Sequence, residues 1–193
     1  RDSVTPPALP AGIDASPSFD GVGQFTLIPF SSTSLREGQT ADLPWLQATP
    51  DPISTATWRT WVEINMKVAE DMNIREGDMI RITSGFGGPD VEANEGVLAI
   101  AYPHPGVPPD VVCVPLGQGR RGSGRYAKGR GGNIMNIIAP NVDQETGALA
   151  WAATKVRIEK TGDWVRLPKA ENTNPDLATD EGQHVLKITP MDT

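Results

Sequence analysis

A single cysteine, Cys113, and two histidines, His104 and His184, are all that 193 residues offer to thiol or imidazole chemistry. One thiol excludes an internal disulfide, a Cys-ligated zinc site and an iron–sulfur cluster held by this chain alone. The histidines lie far apart, so a metal site built on them needs ligands from elsewhere. Cys113 sits between Val112 and Val114, where a small buried hydrophobe is expected rather than a reactive thiol. No apolar run reaches the ~18 residues of a membrane span. The first residue is Arg and no secretory-signal pattern follows, so a processed chain or a segment of something longer is expected.

The most informative absence is of acid. Between Asp110 and Asp143 there is no Asp or Glu, although the whole chain carries a formal net charge of -7. In that window Arg120, Arg121, Arg125, Lys128 and Arg130 stand among Gly117, Gly119, Gly122, Gly124, Gly129, Gly131 and Gly132. Cations on a glycine-rich backbone suggest a place where a phosphate or a carboxylate-rich partner meets main-chain N–H groups; the plain alternative is a charged surface loop. Gly117-Gln-Gly119-Arg-Arg-Gly122 fits G-x-G-x-x-G. A dinucleotide fold also needs a helix at the third glycine and an acid about 20 residues on, and neither is there. Gly124–Gly131 has P-loop spacing but puts Arg130 and Gly131 where Lys and Ser or Thr belong. The acidic balance and the lone Tyr126 in the window argue against nucleic acid as partner.

Strand-like segments outnumber helices. Residues 1–24 read as an extended arm or linker, rich in Pro, Ser, Gly and Asp. Phe25–Phe30 is a strand that Pro29 would put at an edge. Leu43-Pro44-Trp45-Leu46 and Pro50-Asp51-Pro52 form a rigid stretch with turn chemistry, and Trp45, Trp58 and Trp61 are expected to pack. Trp61–Ile64 reads as a strand. Asn65 caps a helix over 66–72, with Val68, Ala69 and Met72 on one side. After a turn at Gly77-Asp78, Met79–Ser84 alternates as a strand. Val91–Tyr102 reads as one long strand or a bent pair. Val111–Pro115 and Ala152–Lys160 add strands, and Val185–Ile188 a short last one. Turn signals near every tenth residue favour a closed or partly closed β-barrel.

Five blocks carry a family resemblance. Trp61-Val-Glu-Ile-Asn65, the short helix, and Ile74-x-x-Gly77-Asp78-x-Ile80-x-Ile82 resemble the C-terminal dinucleotide-binding domain of the molybdopterin oxidoreductases. Pro105-Gly106-Val107-Pro108-Pro109-x-Val111-Val112 is similar to that family's turn into its next strand. Leu43-Pro44-Trp45-Leu46-Gln47, Gly124-Arg-Tyr126-Ala-Lys-Gly129 and Thr146-Gly147-Ala148-Leu149-Ala150-Trp151 resemble one branch, the iron–sulfur B subunit of alternative complex III and related polysulfide-reductase-type complexes. The resemblance covers roughly residues 25 to 160.

It implies a mainly β fold with short helices, a double-psi β-barrel of the aspartate-decarboxylase-like type over 25–165, with an N-terminal arm over 1–24 and a C-terminal extension over 166–193. It implies cofactor-facing residues Gly117, Gly119, Arg125, Lys128, Gly129, Gly131, Asn133 and Asn136, with no catalytic residue and no metal ligand in this chain. Two readings stand. In one, the domain is a scaffold that has lost its cofactor, within a membrane-associated quinol-oxidising electron-transfer complex with iron–sulfur and haem c subunits. Its cations then pair with acidic neighbours or fill the vacated pocket. In the other, it holds a molybdopterin guanine dinucleotide shared with other domains of a molybdenum or tungsten oxidoreductase. Both imply part of an oxidoreductase complex rather than an enzyme acting alone, bound peripherally at the periplasmic face of the bacterial cytoplasmic membrane. A free-standing enzyme would have to rest on His104 as acid–base group.

Overall fold

Alternation drives the architecture. In β3, Trp61–Asn65, the even positions Val62 and Ile64 lose all contact with water while Glu63 and Asn65 stay partly exposed, as a period of two requires. The same pattern buries Ile80 and Ile82 of β4 (Asp78–Thr83) and Val112 and Val114 of β6 (Val111–Pro115). The computed structural model describes residues 18–121 and 124–170. Its remaining elements are β1 (Asp20–Gly21), β2 (Phe25–Phe30), α1 (Pro44–Ala48), α2 (Met66–Asp71), β5 (Val97–His104), a 3-10 helix (Ile134–Ile137) and β7 (Thr154–Trp164). The chain is mainly β with short helices.

The strands form one seven-stranded sheet in the order β1-β7-β2-β6-β3-β5-β4, and β7 also pairs with β4. The hydrogen bonding therefore runs round a ring, with β1 added outside on β7. Two parallel pairs, β2 with β6 and β3 with β5, sit in a ring whose other pairings are antiparallel. Closure depends on the length of β7. Its first residues pair with β2 (Phe25↔Val156) and the rest with β4 (Ile82↔Ile158, Ile80↔Lys160), with a register shift near Asp78 that bends the ladder. Inside lie Leu27, Val62, Ile64, Ile80, Ile82, Val112, Val114 and Val156, joined by Ile134 and Ile137 of the 3-10 helix. A smaller cluster outside the ring packs Trp61 and Ile100 under Leu167 and Ala56.

Asn65 ends β3 and starts α2: its Oδ1 accepts from the N–H groups of Lys67 (3.0 Å) and Val68 (3.3 Å), the arrangement expected of an Asn cap. Ala69 is buried, and Val68 and Met72 pack against the core. Several expectations need correction. β2 is an interior strand, not an edge: it pairs with β7 only over Phe25–Leu27, so Pro29 lies beyond that ladder, in register with Val114 of β6. The strand expected over Val91–Tyr102 is only β5, because 92–96 turns back on itself through a Glu95 N–H to Glu92 carbonyl bond. The Leu43–Leu46 stretch is helical, with Pro44 opening α1, a position that suits proline. Of the three tryptophans, Trp61 is buried edge-on to Phe30, Trp58 is half-buried, and Trp45 is 63% exposed. Within the expected arm, Asp20 and Gly21 pair with Thr154 and Lys155. The strand expected at Val185–Ile188 lies outside the described residues.

Candidate functional site

Past β6 the chain loses its alternation and becomes a glycine-rich loop, which a distant segment, 37–60, holds in place. Asp42 reaches 82 residues along the chain: its Oδ2 accepts from the Gly124 N–H (2.9 Å) and its Oδ1 from the Ala127 N–H (3.3 Å). Gln47 and Gln118, both buried, exchange amide hydrogen bonds (2.7 and 3.3 Å), and Gln47 Nε2 also donates to the Ala41 carbonyl. The Arg120 guanidinium donates to the Glu37 carbonyl, and that of Arg130 lies 4.8 Å from the centre of the Trp58 ring. Thr60, at the mouth of β3, both accepts from the Gly132 N–H and donates to its carbonyl, each at 3.1 Å.

The loop and the start of β5 enclose a cavity of about 330 Å³. Among the residues expected at a site, Gly119, Gly129, Gly131, Asn133 and Asn136 line it; Gly117, Arg125 and Lys128 do not. Gly117 is buried beneath the turn at Leu35 and Arg36. Arg125 is exposed and donates to the hydroxyl of Tyr126 (2.8 Å), and Lys128 is exposed. The glycines differ in what their small size serves. Gly119, at φ +79°, has the Asn133 backbone where a Cβ would go, and Gly131, at φ +58°, has Thr60 there. A side chain at either would collide with the protein itself. Gly129 alone of the three has open space on that side. Asn133 uses its Oδ1 to accept from the Met135 N–H (3.2 Å), capping the 3-10 helix, and Asn136 is buried with Gly88 packed against it.

Sequence reading missed Arg59, Asp90 and Glu95, which also line the cavity, together with Arg121 from the basic window. Arg121 Nε lies 3.8 Å from Asp90 Oδ1, an exposed and long ion pair. The three missed residues come from segments with no motif, and no local signal marks them. The wall thus carries carboxylates as well as guanidinium groups.

His104 ends β5, whose opposite end meets the cavity. Its Nδ1 accepts from the Gly106 N–H (3.2 Å), which stabilises the following turn. Glu63, on the outside of β3, has its acidity weakened chiefly by burial, against an opposing hydrogen bond from Trp61 Nε1 (3.2 Å) and the charge of His104. Opposite it in the ladder, burial and then the Glu63 charge push the Cys113 thiol up to about 11, so it stays protonated and unreactive near neutral pH. Among the described residues no group of three or more His, Cys, Asp or Glu could hold a metal ion, and no helix is long and apolar enough to cross a membrane.

No family model matches the chain. Over 119 residues it is 29% identical to the menaquinone reductase molybdopterin-binding-like subunit of Nitratidesulfovibrio vulgaris, a match covering 56% of this chain and 16% of that protein. Over 149 residues it is 33% identical to the arsenate respiratory reductase molybdopterin-containing subunit ArrA of Chrysiogenes arsenatis, covering 70% of this chain and again 16% of the relative. The fold matches part of acetylene hydratase from Pelobacter acetylenicus with a TM-score of 0.52 at 12% identity, over 71% of this chain and 18% of that one. The chain is therefore related to the molybdopterin oxidoreductase family, whose subunits it matches over a short segment of their length.

Proposed function

We propose that this chain is a molybdopterin-dinucleotide-binding-like domain, a double-psi β-barrel, within a membrane-associated quinol-oxidising electron-transfer complex of the alternative complex III type, and that it serves there as scaffold with no cofactor of its own. The observation that carries the scaffold role is Asp42. A diphosphate at a glycine loop needs free N–H donors and uncompensated cations. Here the Gly124 and Ala127 N–H groups already donate to a carboxylate of the chain. Arg120 and Arg130 are engaged by Glu37 and Trp58, and Asp90 and Glu95 add negative charge to the cavity wall. The residues at this turn thus fit a pterin diphosphate poorly. Both curated relatives are respiratory or quinone-linked reductase subunits by name, and one is itself described as molybdopterin-binding-like; this supports a place within a respiratory reductase complex, for which we propose iron–sulfur and haem c partners at the periplasmic face of the cytoplasmic membrane.

One observation favours a second reading. Gly119, Gly129, Gly131, Asn133 and Asn136 meet at a single cavity. A molybdopterin guanine dinucleotide shared with other domains would then touch this chain there, with Arg59 in the role expected of Arg125 and Lys128. Elemental mass spectrometry and oxidised-pterin fluorescence on the intact parent complex separate the two. Absence of molybdenum, tungsten and pterin in a complex that still oxidises quinol is the expected result. Metal and pterin near one equivalent would replace the scaffold with a cofactor-holding domain.

A further inference from the structure

The acid-free window carries five cations, and the fold engages three of them internally. Arg120 meets the Glu37 carbonyl, Arg121 meets Asp90, and Arg130 meets the Trp58 ring. Arg125 and Lys128 are different. Both are exposed, and neither is paired with a carboxylate among the described residues. Arg125 lies over its neighbour Tyr126, 4.7 Å from the ring centre.

We propose that Arg125 and Lys128, with Trp45 on the adjoining helix α1, form a docking surface for an acidic segment of a neighbouring protein subunit; this rests on the chain being part of a larger complex. The turn that presents the two cations is fixed by its own bonds, Ala127 and Lys128 N–H to the Gly124 carbonyl, and by Asp42. A partner therefore meets charges already held in place, which lowers the ordering cost of docking. Because Asp42 occupies the Gly124 and Ala127 amides and the Gly124 carbonyl that of Lys128, recognition falls chiefly to the side chains. A phosphate gains most from N–H donors and cations together, whereas the fork of an arginine and the point charge of a lysine suffice for carboxylates. On a chain with a net charge of -7, an acidic partner is repelled elsewhere and steered to this window. Trp45 is 63% exposed. It stands three positions after Asp42, a Cα distance of at most about 11 Å. Exposed Trp beside Arg is the combination that supplies most interface energy when covered.

Zero-length carbodiimide coupling on the natively purified full-length assembly, read by mass spectrometry, tests this surface. The expected product is an amide between Lys128 Nζ and an Asp or Glu of another polypeptide, lost in Lys128→Arg although the assembly survives. The pair Arg125→Glu and Lys128→Glu, whose exposed positions leave the thermal melt of the chain unchanged, should lower co-purification of that polypeptide about tenfold or more. Arg125→Lys with Lys128→Arg should retain it. Coupling of Lys128 only within its own chain, or assembly indifferent to the charge reversal, overturns the proposal. So does saturable binding of pyrophosphate that the same reversal abolishes, which would make the patch a phosphate site. Metal and pterin analysis of the same preparation reports separately on the scaffold reading, so a cofactor-loaded complex with the Lys128 cross-link would sink that reading and keep this surface.

Discussion

Inside the ring, Ile64, Ile80 and Val112 are shut off from water within one large cluster of buried apolar side chains. Between Gln118 and Gly132 the chain has almost no apolar anchor and hangs on single polar contacts: Asp42 at one turn, Gln47 at Gln118, Thr60 at Gly132. The ring is stabilised by area removed from water, a quantity spread over dozens of atoms. The loop depends on geometry at a few atoms, where one lost acceptor frees a whole turn. The difference teaches where each part can vary: apolar exchange of similar volume is tolerated in the ring, while the loop's shape rests on residues that do not resemble one another and lie far apart in sequence.

Four substitutions sharpen or break this contrast. The largest effect is expected from Ile64→Ala, which opens a hole in a site shut off from water and should cost about 2–5 kcal/mol in urea unfolding; a loss below about 1 kcal/mol would deny the ring its role as the stable unit. Next is Gln118→Ala, which leaves the buried Gln47 Oε1 without its donor and should cost about 1–3 kcal/mol. A double-mutant cycle with Gln47→Ala should show coupling, and simple additivity would mean the pair does not act as one. Asp42→Ala removes the acceptor of two N–H groups, with about 1 kcal/mol of local rather than global loss, as for a lost cap. Hydrogen exchange should quicken at Gly124 and Ala127 while Val62 and Ile80 keep their protection; equal acceleration everywhere would mean loop and ring unfold together.

The smallest effect concerns pH. Burial raises the Glu63 pKa above 4.5 in the folded chain. The folded state therefore binds the proton more tightly than the unfolded one, and stability falls as pH rises from 4.5 through the folded value. Glu63→Gln, which still accepts from Trp61 Nε1, should flatten that slope and leave the protein slightly more stable at pH 7. Melting midpoints across pH 4 to 8 that show the same slope in both proteins would place the titration elsewhere. Asp78 works in the opposite direction: Lys160 Nζ at 2.8 Å and the Arg75 N–H at 2.7 Å outweigh desolvation and hold its carboxyl below the usual range. That contribution is present at neutral pH and is lost as pH falls through the folded value, so the two acids partly offset each other in an acid titration.

Much of the ring was legible because its signals are local. Val62 and Ile64 alternate with Glu63 and Asn65, Asn65 caps the helix directly behind it, and Gly77-Asp78 turns into Ile80 and Ile82. Pro29 misled because a proline marks the lack of a ladder partner at one residue, not along a strand; β7 leaves β2 just before it. At the candidate site the glycines and asparagines were legible and their partners were not. Gly119, Gly131 and Asn133 do line the cavity, while Gly117 is buried outside it and the exposed Arg125 and Lys128 do not line it. A cation's charge is written in the sequence, but its direction depends on which acceptor the fold brings near.

The sequence by itself determined the strand periodicity, the Asn65 cap, the single thiol and the acid-free basic window, each a property of residues within a few positions of one another. Only the tertiary structure decided that β7 closes the ring onto both β2 and β4, and that Asp42 lies against Gly124 and Gln47 against Gln118. It alone decided which cations of the basic window lack a carboxylate partner among the described residues. These contacts span 71 to 82 residues, and over such distances no local propensity acts. The pairing is set by how the strands pack, and the loop's chemistry follows from it.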